Sequence, residues 1–315
     1  MARNSLQSLA SPDAEPIVRV SGRSIASGLI VSLRPHQWTK NLLIFAALLF
    51  GQHLTDPTAT LRAMAAFLVF CGLSGAVYLV NDVMDRAGDR RHAHKATRPI
   101  AAGEISPRLA LAAAALVGLA SIAGAFRLSP AMAGVASGYA ALLIAYSVFL
   151  KHLVIVDVMT IAAGFVLRAV AGGVAIGVSV SAWLLLCTSL LALFLALSKR
   201  RHEMVELAGS AAEHRPSLGE YSPYLLDQMI SVVTASTLIA YCFYAISPDV
   251  AARFGTDWLG LTIPFPLYGI FRYLYLVHQK SEGGSPTEIL LADRPLLSCV
   301  VLWSVAVVLI VYRPW

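Results

Sequence analysis

Residues 61–89 read LRAMAAFLVFCGLSGAVYLVNDVMDRAGD, an apolar run that passes directly into a polar and charged segment. A run of about twenty apolar residues spans the roughly 30 Å hydrocarbon core of a bilayer as one α-helix. The aspartates of the charged segment, Asp82, Asp85 and Asp89, therefore lie at a membrane border. The stretch predicts a helix that crosses a membrane and carries carboxylates at one end.

The composition of the whole chain is also that of a membrane protein. Of its 315 residues, 57% are hydrophobic and 13% are charged, and the mean hydropathy is +0.70. Soluble domains have about twice that share of charged residues. The composition excludes disordered, fibrous and coiled-coil chains, and the four cysteines stand singly in apolar stretches, so a disulfide scaffold is excluded as well.

Nine apolar runs predict nine transmembrane helices in one bundle, so the predicted fold class is an all-α integral membrane protein. The runs are Asn41 to Leu54, Leu61 to Val80, Leu109 to Phe126, Ala131 to Leu150, Leu153 to Val178, Ala182 to Ser198, Met229 to Ile246, Leu259 to Val277 and Leu296 to Tyr312. We expect residues 1–24 to form a flexible cytosolic tail, since they lack the apolar core of a secretory signal. Residues 25–315 are expected to form the helical domain.

Lysine and arginine residues are distributed unequally between the two sides of this predicted bundle. Nineteen of the 24 lie on the side of the amino terminus, four lie on the opposite side, and Arg168 lies within the fifth run. Cytoplasmic loops carry the excess of Lys and Arg. We therefore predict a multi-pass protein of the cell membrane, with the amino terminus and a chamber facing the cytoplasm. The net charge of +6 is then explained by the cations that set the membrane topology, and we expect no nucleic-acid partner.

The segment from Asn81 to Asp89 predicts a metal site. At about 100° per residue, Asp85 falls roughly 60° and Asp89 roughly 20° from Asp82 on a helix, so the three carboxylates line one face. Oxygen ligands of this kind suit Mg²⁺, which shares its coordination positions with water and substrate phosphates. The amide oxygen of Asn81 is a further candidate ligand. The alternative is a charge-laced loop in which these carboxylates pair with the arginines that follow them in sequence.

This segment resembles the NDxxDxxxD motif of the UbiA-type intramembrane prenyltransferase superfamily. The likeness extends to the nine spans, to residues 95–100 after the motif and to residues 146–151, and it covers roughly residues 33–312. In that superfamily the aspartates bind Mg²⁺ and, through it, the diphosphate of a substrate. The resemblance implies this catalytic role for Asp82, Asp85 and Asp89.

The chain departs from the family pattern after the sixth run. Typical members carry a second aspartate-rich motif there, whereas residues 198–206 read SKRRHEMVE, with carboxylates only at Glu203 and Glu206. Three adjacent cations indicate a site for a second anionic group, because Arg binds phosphate bidentately and Lys supplies a point charge. The alternative is a positive-inside signal that only sets topology.

Together with residues 34–41, RPHQWTKN, this departure resembles one branch of the superfamily. Its members transfer phosphoribose from 5-phosphoribosyl 1-diphosphate to a polyprenyl phosphate, decaprenyl phosphate, and make a lipid-linked precursor of cell-wall arabinan. The resemblance thus implies Mg²⁺ as cofactor and these two substrates as partners. A lipid phosphate is already an anionic nucleophile, so no general base is required, and the sequence shows no recognisable catalytic triad.

Further candidates for substrate contact are polar side chains near the cytoplasmic ends of the runs. Arg168 is costly in lipid unless it is partnered or faces a polar cavity, and it shares a helix face with Asp157, about 16 Å away. The alternative for Arg168 is a structural bond to neighbouring carbonyls. The substrate-binding candidates are Lys40, Asn81, Lys95, Arg98, Tyr146, Lys151, Asp157, Arg168, Lys199, Arg201 and Glu203.

The sequence fits two rival functions less well. An aromatic or quinone prenyltransferase of the same fold is disfavoured by the altered second motif. A transporter is disfavoured because the polar residues cluster on one membrane face, without an inverted repeat. The sequence leaves open whether the chain forms a homo-oligomer and how many metal ions it binds.

Overall fold

The computed structural model describes residues 23–91, 95–206, 216–280 and 285–313, and the regular elements in these ranges are helices. The α-helices, numbered along the chain, are α1 (Ile25–Ser32), α2 (Ala46–Phe50), α3 (Pro57–Met84), α4 (Arg86–Arg91), α5 (Pro107–Leu128), α6 (Pro130–Val148), α7 (Val156–Ile176), α8 (Ala182–Glu206), α9 (Pro216–Gly219), α10 (Pro223–Ile246), α11 (Pro248–Phe254), α12 (Pro264–Gln279), α13 (Pro286–Ala292) and α14 (Arg294–Tyr312). The 3₁₀ segments are Pro35–Phe45, Lys95–Thr97, Leu150–His152 and Trp258–Thr262. The all-helical prediction is confirmed for the described residues, whereas nearly all of the predicted tail lies outside them.

The helices α3, α5, α6 and α10 begin at a polar cap followed by a proline. Asp56 accepts hydrogen bonds from the backbone N–H groups of Thr58 and Ala59 at the start of α3, and serine caps precede α5, α6 and α10 in the same way. A side-chain oxygen satisfies a helix N–H that has no partner in the helix, and proline lacks the next unpaired N–H. Local sequence therefore fixes where these helices start.

Seven helices of the described residues are long and apolar enough to cross a membrane, namely α3, α5, α6, α7, α8, α10 and α14. Each coincides with one of the nine predicted runs. The run at 41–54 instead comprises the end of the 3₁₀ segment Pro35–Phe45 and α2, and the run at 259–277 covers all but the last two residues of the 16-residue α12. A multi-pass membrane protein is thus confirmed, and nine crossings remain a prediction.

The long helices that follow one another in the chain run in opposite directions, so their polar ends gather at the two ends of the bundle. The helix α3 packs along α5, and α8 packs between α7 and α10. At one end, Arg62 near the start of α3 donates to the carbonyls of Ala175 at 2.7 Å and Leu128 at 3.3 Å. A cation at helix carboxyl ends satisfies carbonyls that have no partner in the helix. The end of α3, the start of α7 and the end of α8 meet at the opposite end.

The 3₁₀ segment Pro35–Phe45 packs directly on α7. Its eleven residues exceed the usual 3₁₀ run of three or four, so tertiary contacts must hold it. Gly172 on α7 permits the contact, because a Cβ there would lie 2.0 Å from the carbonyl oxygen of Ile44, a fully buried residue. Backbone therefore meets backbone at this position.

Gly172→Ala is expected to lower the thermal unfolding temperature of the detergent-purified chain by several degrees, because overpacking costs about 1–3 kcal/mol. The matched control is Gly138→Ala, whose new Cβ would meet nothing within 4 Å and which gains helix propensity. Thermal-shift curves of the two variants measure the difference. Equal unfolding temperatures would contradict the close approach.

Candidate active site

The acidic motif lies where α3 ends. Asp85 breaks the helix with φ −88° and ψ 2°, and α4 starts at the next residue. The prediction of one continuous helical face is therefore wrong at Asp85, whose side chain is 50% exposed. Asp82 and Asp89 are instead buried, at 2% and 5% exposure. Two of the three carboxylates thus share a buried position, and the third faces solvent.

Cations from other segments pair with all three carboxylates. Arg98 donates to Asp82 at 3.2 Å and to Asp89 at 2.6 Å, and Arg34 forms a short ion pair with Asp82. Lys151 lies 3.4 Å from Asp85. The negative charge of the motif is therefore balanced by cations that precede α3 or follow α4 in the chain.

The arginines next to the motif in sequence have other partners. Arg86 and Arg90 donate to the backbone carbonyls of Ile100 and Ala101, at 3.3 and 2.9 Å. The alternative in which the aspartates pair with these neighbours is therefore wrong for both. Sequence reasoning missed Arg34 as a partner of Asp82, although it stands in the quoted segment 34–41.

A second polar cluster joins α7 and α8. Asp157 is fully buried and accepts from Arg200 Nε at 2.9 Å and from the Tyr221 hydroxyl at 3.0 Å. The same guanidinium donates to Glu203 at 2.7 Å and to the Tyr146 hydroxyl at 3.1 Å. Arg200 therefore bonds three of the predicted site residues. The sequence indicated Arg200 only as one of three adjacent cations for an anionic group, and its carboxylate partners were not predicted.

Tyr221, two residues before α10, orders this cluster. Its hydroxyl accepts from the backbone N–H of Ile155 at 2.7 Å while donating to Asp157. Burial, together with the negative charge of Asp157, raises the pKa of Tyr221 to about 12. The hydroxyl therefore stays protonated at neutral pH and acts as a fixed donor.

Lysines form the cationic part of the site. Lys199 lies 3.7 Å from Glu203. Lys40, half-buried on the 3₁₀ segment Pro35–Phe45, is close enough to Lys199, Arg168 and Arg34 to be repelled by each of them. Among the described residues, Lys40 has no carboxylate partner. Positive charge therefore accumulates beside the acidic motif.

Arg168 is a structural residue in the middle of the bundle. It donates to Asn41 at 2.7 Å, to the carbonyl of Gly164 at 2.9 Å and to the Tyr139 hydroxyl at 2.5 Å. The Tyr139 hydroxyl lies 3.0 Å from that of Ser74. The contacts of Arg168 are therefore those of the alternative in which it bonds neighbouring protein groups. Its bond to Asn41 anchors the segment that carries Lys40.

Two predicted residues lie apart from these clusters. Arg201 points towards α10, where its guanidinium forms two hydrogen bonds with Asp227, at 2.5 and 3.4 Å. Lys95 is exposed on its own 3₁₀ turn. Arg201 and Lys95 thus lie outside the site. The structure brings the other nine substrate-binding candidates together, and Arg168 belongs to them through its bond to Asn41.

The residues at the end of α3 suit a divalent cation that is shared with a substrate. The amide oxygen of Asn81 is buried and has no hydrogen-bond partner in the described chain. No three Asp, Glu, His or Cys side chains within the described ranges converge as ligands. Mg²⁺ typically uses one or two carboxylates and completes its shell with water and substrate phosphates. Asp82, Asp89 and Asn81 fit that pattern.

Comparison with known proteins identifies the family. Residues 41–287 match the UbiA prenyltransferase family. The chain is 33% identical to a decaprenyl-phosphate phosphoribosyltransferase of Corynebacterium glutamicum, over 92% of this chain and 88% of the relative. It is 34% identical to the enzyme of the same name from Mycobacterium tuberculosis, over 93% and 97%. These matches confirm the resemblance seen in the motif.

A solved structure supports the fold. A UbiA homolog from Archaeoglobus fulgidus, bound to GPP and Mg²⁺, superposes with a TM-score of 0.70 at 21% identity, covering 91% of this chain and all of that one. The likeness extends over the whole helical bundle. The chain belongs to the UbiA prenyltransferase family.

Proposed function

We propose that this chain transfers the 5-phosphoribosyl group from 5-phosphoribosyl 1-diphosphate to a polyprenyl phosphate such as decaprenyl phosphate. The bond from the ribose anomeric carbon to the diphosphate breaks, and a bond from that carbon to a lipid phosphate oxygen forms. The observation that carries the proposal is the juxtaposition of two poles, an acidic one at Asp82 and Asp89 and a cationic one at Lys40. The phosphoribosyltransferases at 33–34% identity support it.

The acidic pole suits the donor substrate. Asp82, Asp89 and Asn81 would hold Mg²⁺, which supplies positive charge to the departing diphosphate. Arg34 and Arg98 are 22% and 29% exposed, so they can leave Asp82 and contact phosphate oxygens. Arginine suits this exchange because its planar fork binds carboxylate and phosphate alike.

The cationic pole suits the acceptor. A lipid phosphate brings negative charge that Lys40 can neutralise, since Lys40 has no carboxylate partner in the described chain. The phosphate oxygen is anionic before it reacts, so no residue has to remove a proton from it. The Tyr146 hydroxyl, which accepts a hydrogen bond from Arg200, keeps its own hydrogen for a substrate oxygen.

The excess of Lys and Arg on the amino-terminal side supports a site at the cytoplasmic face. The motif, Lys40, Lys151 and Lys199 all belong to that side in the nine-span topology. A water-soluble sugar diphosphate reaches the site from the cytoplasm, whereas the lipid reaches it from the bilayer. This orientation predicts that a cysteine placed at Gly88 reacts with a membrane-impermeant maleimide only in inside-out vesicles.

The test of the function uses detergent-purified chain, radiolabelled 5-phosphoribosyl 1-diphosphate, decaprenyl phosphate and Mg²⁺. We expect label to move into the organic phase, and we expect EDTA to abolish the transfer. Folded protein that transfers no label, but prenylates 4-hydroxybenzoate from a polyprenyl diphosphate, would contradict the proposal. That result would make the chain an aromatic prenyltransferase of the same fold.

A further inference from the structure

We propose that the acceptor phosphate is bound without a metal ion, and that Arg200 is a fixed cation that keeps this half of the site metal-free. The inference rests on the proposed function and goes beyond it, because it assigns separate cation requirements to the two substrates. The donor is bound through a divalent cation, whereas the acceptor is bound by side chains alone.

The first observation is the position of Arg200 between two carboxylates. Asp157 and Glu203 come from different helices, and both accept hydrogen bonds from this one guanidinium, at 2.9 and 2.7 Å. Two carboxylates that face a common point are otherwise suitable ligands for a divalent cation. Here the guanidinium occupies that point, and its third nitrogen is bonded to Tyr146.

The second observation concerns how firmly the cations are held at the two poles. Arg34 and Arg98 are 22% and 29% exposed, so water can compete for their carboxylates. The Arg200 side chain is 3% exposed, and its partner Asp157 is fully buried. A guanidinium keeps its charge at every accessible pH, and removing it would leave a buried charge without a partner. A metal ion can therefore displace the arginines at the acidic pole but not Arg200.

The third observation is the charge that remains for the acceptor. Glu203 is shared between Arg200 and Lys199, which lies at 3.7 Å. Asp157, Glu203, Lys199 and Arg200 together carry no net charge at pH 7. Lys40 adds a positive charge in its ammonium form, which a bound phosphate favours, and Asn41 fixes its segment through the bond to Arg168. An anionic headgroup thus meets ammonium groups, where an incoming divalent cation would meet repulsion.

The experiment measures binding of radiolabelled farnesyl phosphate, a short polyprenyl phosphate, to the detergent-purified full chain by equilibrium dialysis. We expect equal Kd values, within twofold, in EDTA and in millimolar Mg²⁺. Inorganic diphosphate serves as the probe of the acidic pole, and we expect EDTA to weaken its binding at least tenfold. A tenfold weaker binding of farnesyl phosphate in EDTA would overturn the inference and leave the proposed function intact. No binding of farnesyl phosphate in either buffer would overturn both.

Variants test the part of Arg200. Arg200→Gln exposes the carboxylate pair, so we expect its farnesyl phosphate binding to become at least tenfold tighter in Mg²⁺ than in EDTA. The adjacent Arg201→Gln is the matched control, since Arg201 pairs with Asp227, and its binding should remain indifferent to Mg²⁺. Equal Kd values in Mg²⁺ and EDTA for both variants would overturn the role of Arg200. The double variant Asp157→Asn/Arg200→Gln removes both charges, so its farnesyl phosphate binding should again be the same with and without Mg²⁺. The comparison of the unmodified chain in the two buffers needs no variant, so it tests the inference even if a variant fails to fold.

Discussion

Asp82→Asn is expected to lower kcat of phosphoribosyl transfer by about a thousandfold or more while the chain still folds. Each 1.36 kcal/mol of lost transition-state stabilisation costs a factor of ten, and charge stabilisation of the leaving group by a metal contributes several kcal/mol. The substitution keeps the shape of a side chain that is 2% exposed. Its partners Arg34 and Arg98 retain contact with water, so neither becomes a buried unpaired charge.

The measurement pairs the transfer assay with binding of inorganic diphosphate in Mg²⁺, and both should fail in Asp82→Asn. Asp85→Asn should lose less, because Asp85 is 50% exposed and interacts with Lys151. The control is Asp249→Asn in α11, which lies at the other end of the bundle and should retain full turnover. Wild-type turnover in Asp82→Asn would contradict the assignment of the acidic pole.

The parts of the fold that follow from local sequence were predictable. The seven helices that are long and apolar enough to cross a membrane coincide with predicted runs. The starts of α3, α5, α6 and α10 are set by a polar cap directly before a proline. The turn at Asp85 that ends α3 was not predicted, because a helical pattern of carboxylates continues through it. Hydropathy did not reveal that Pro35–Phe45 is a 3₁₀ segment, because its geometry is imposed by Gly172 and by the bond from Arg168 to Asn41.

The contacts of the site could not be predicted, because they join residues far apart in the chain. Arg34 and Asp82 are separated by 48 positions, Asp157 and Arg200 by 43, and Asn41 and Arg168 by 127. Which helix ends meet depends on packing. Helix phase then decides between Arg200 and Arg201, which are adjacent in sequence but face Asp157 and Asp227 on opposite neighbours of α8.

Acceptor binding is expected to depend on pH through Lys40. Burial lowers the pKa of Lys40 to about 7, and repulsion by Lys199 on α8, Arg168 on α7 and Arg34 contributes. A bound phosphate favours the charged ammonium and raises the pKa again. As the pH rises above 7, the free protein loses the proton that binding requires. The Kd for farnesyl phosphate should therefore increase, by up to about tenfold per pH unit.

Lys40→Arg is expected to abolish this pH dependence while retaining binding, because a guanidinium stays protonated throughout the range. Equilibrium dialysis between pH 6.5 and 8.5 in EDTA measures both proteins free of any metal contribution. Titration of the lipid phosphate itself, with a second pKa near 6, affects both proteins equally and cancels in the comparison. Lys280→Arg, an exposed substitution after α12, should keep the slope of the unmodified chain. Equal slopes in Lys40→Arg and the unmodified chain would mean that another group carries the titration, and Lys40 would then have no place in the acceptor pole.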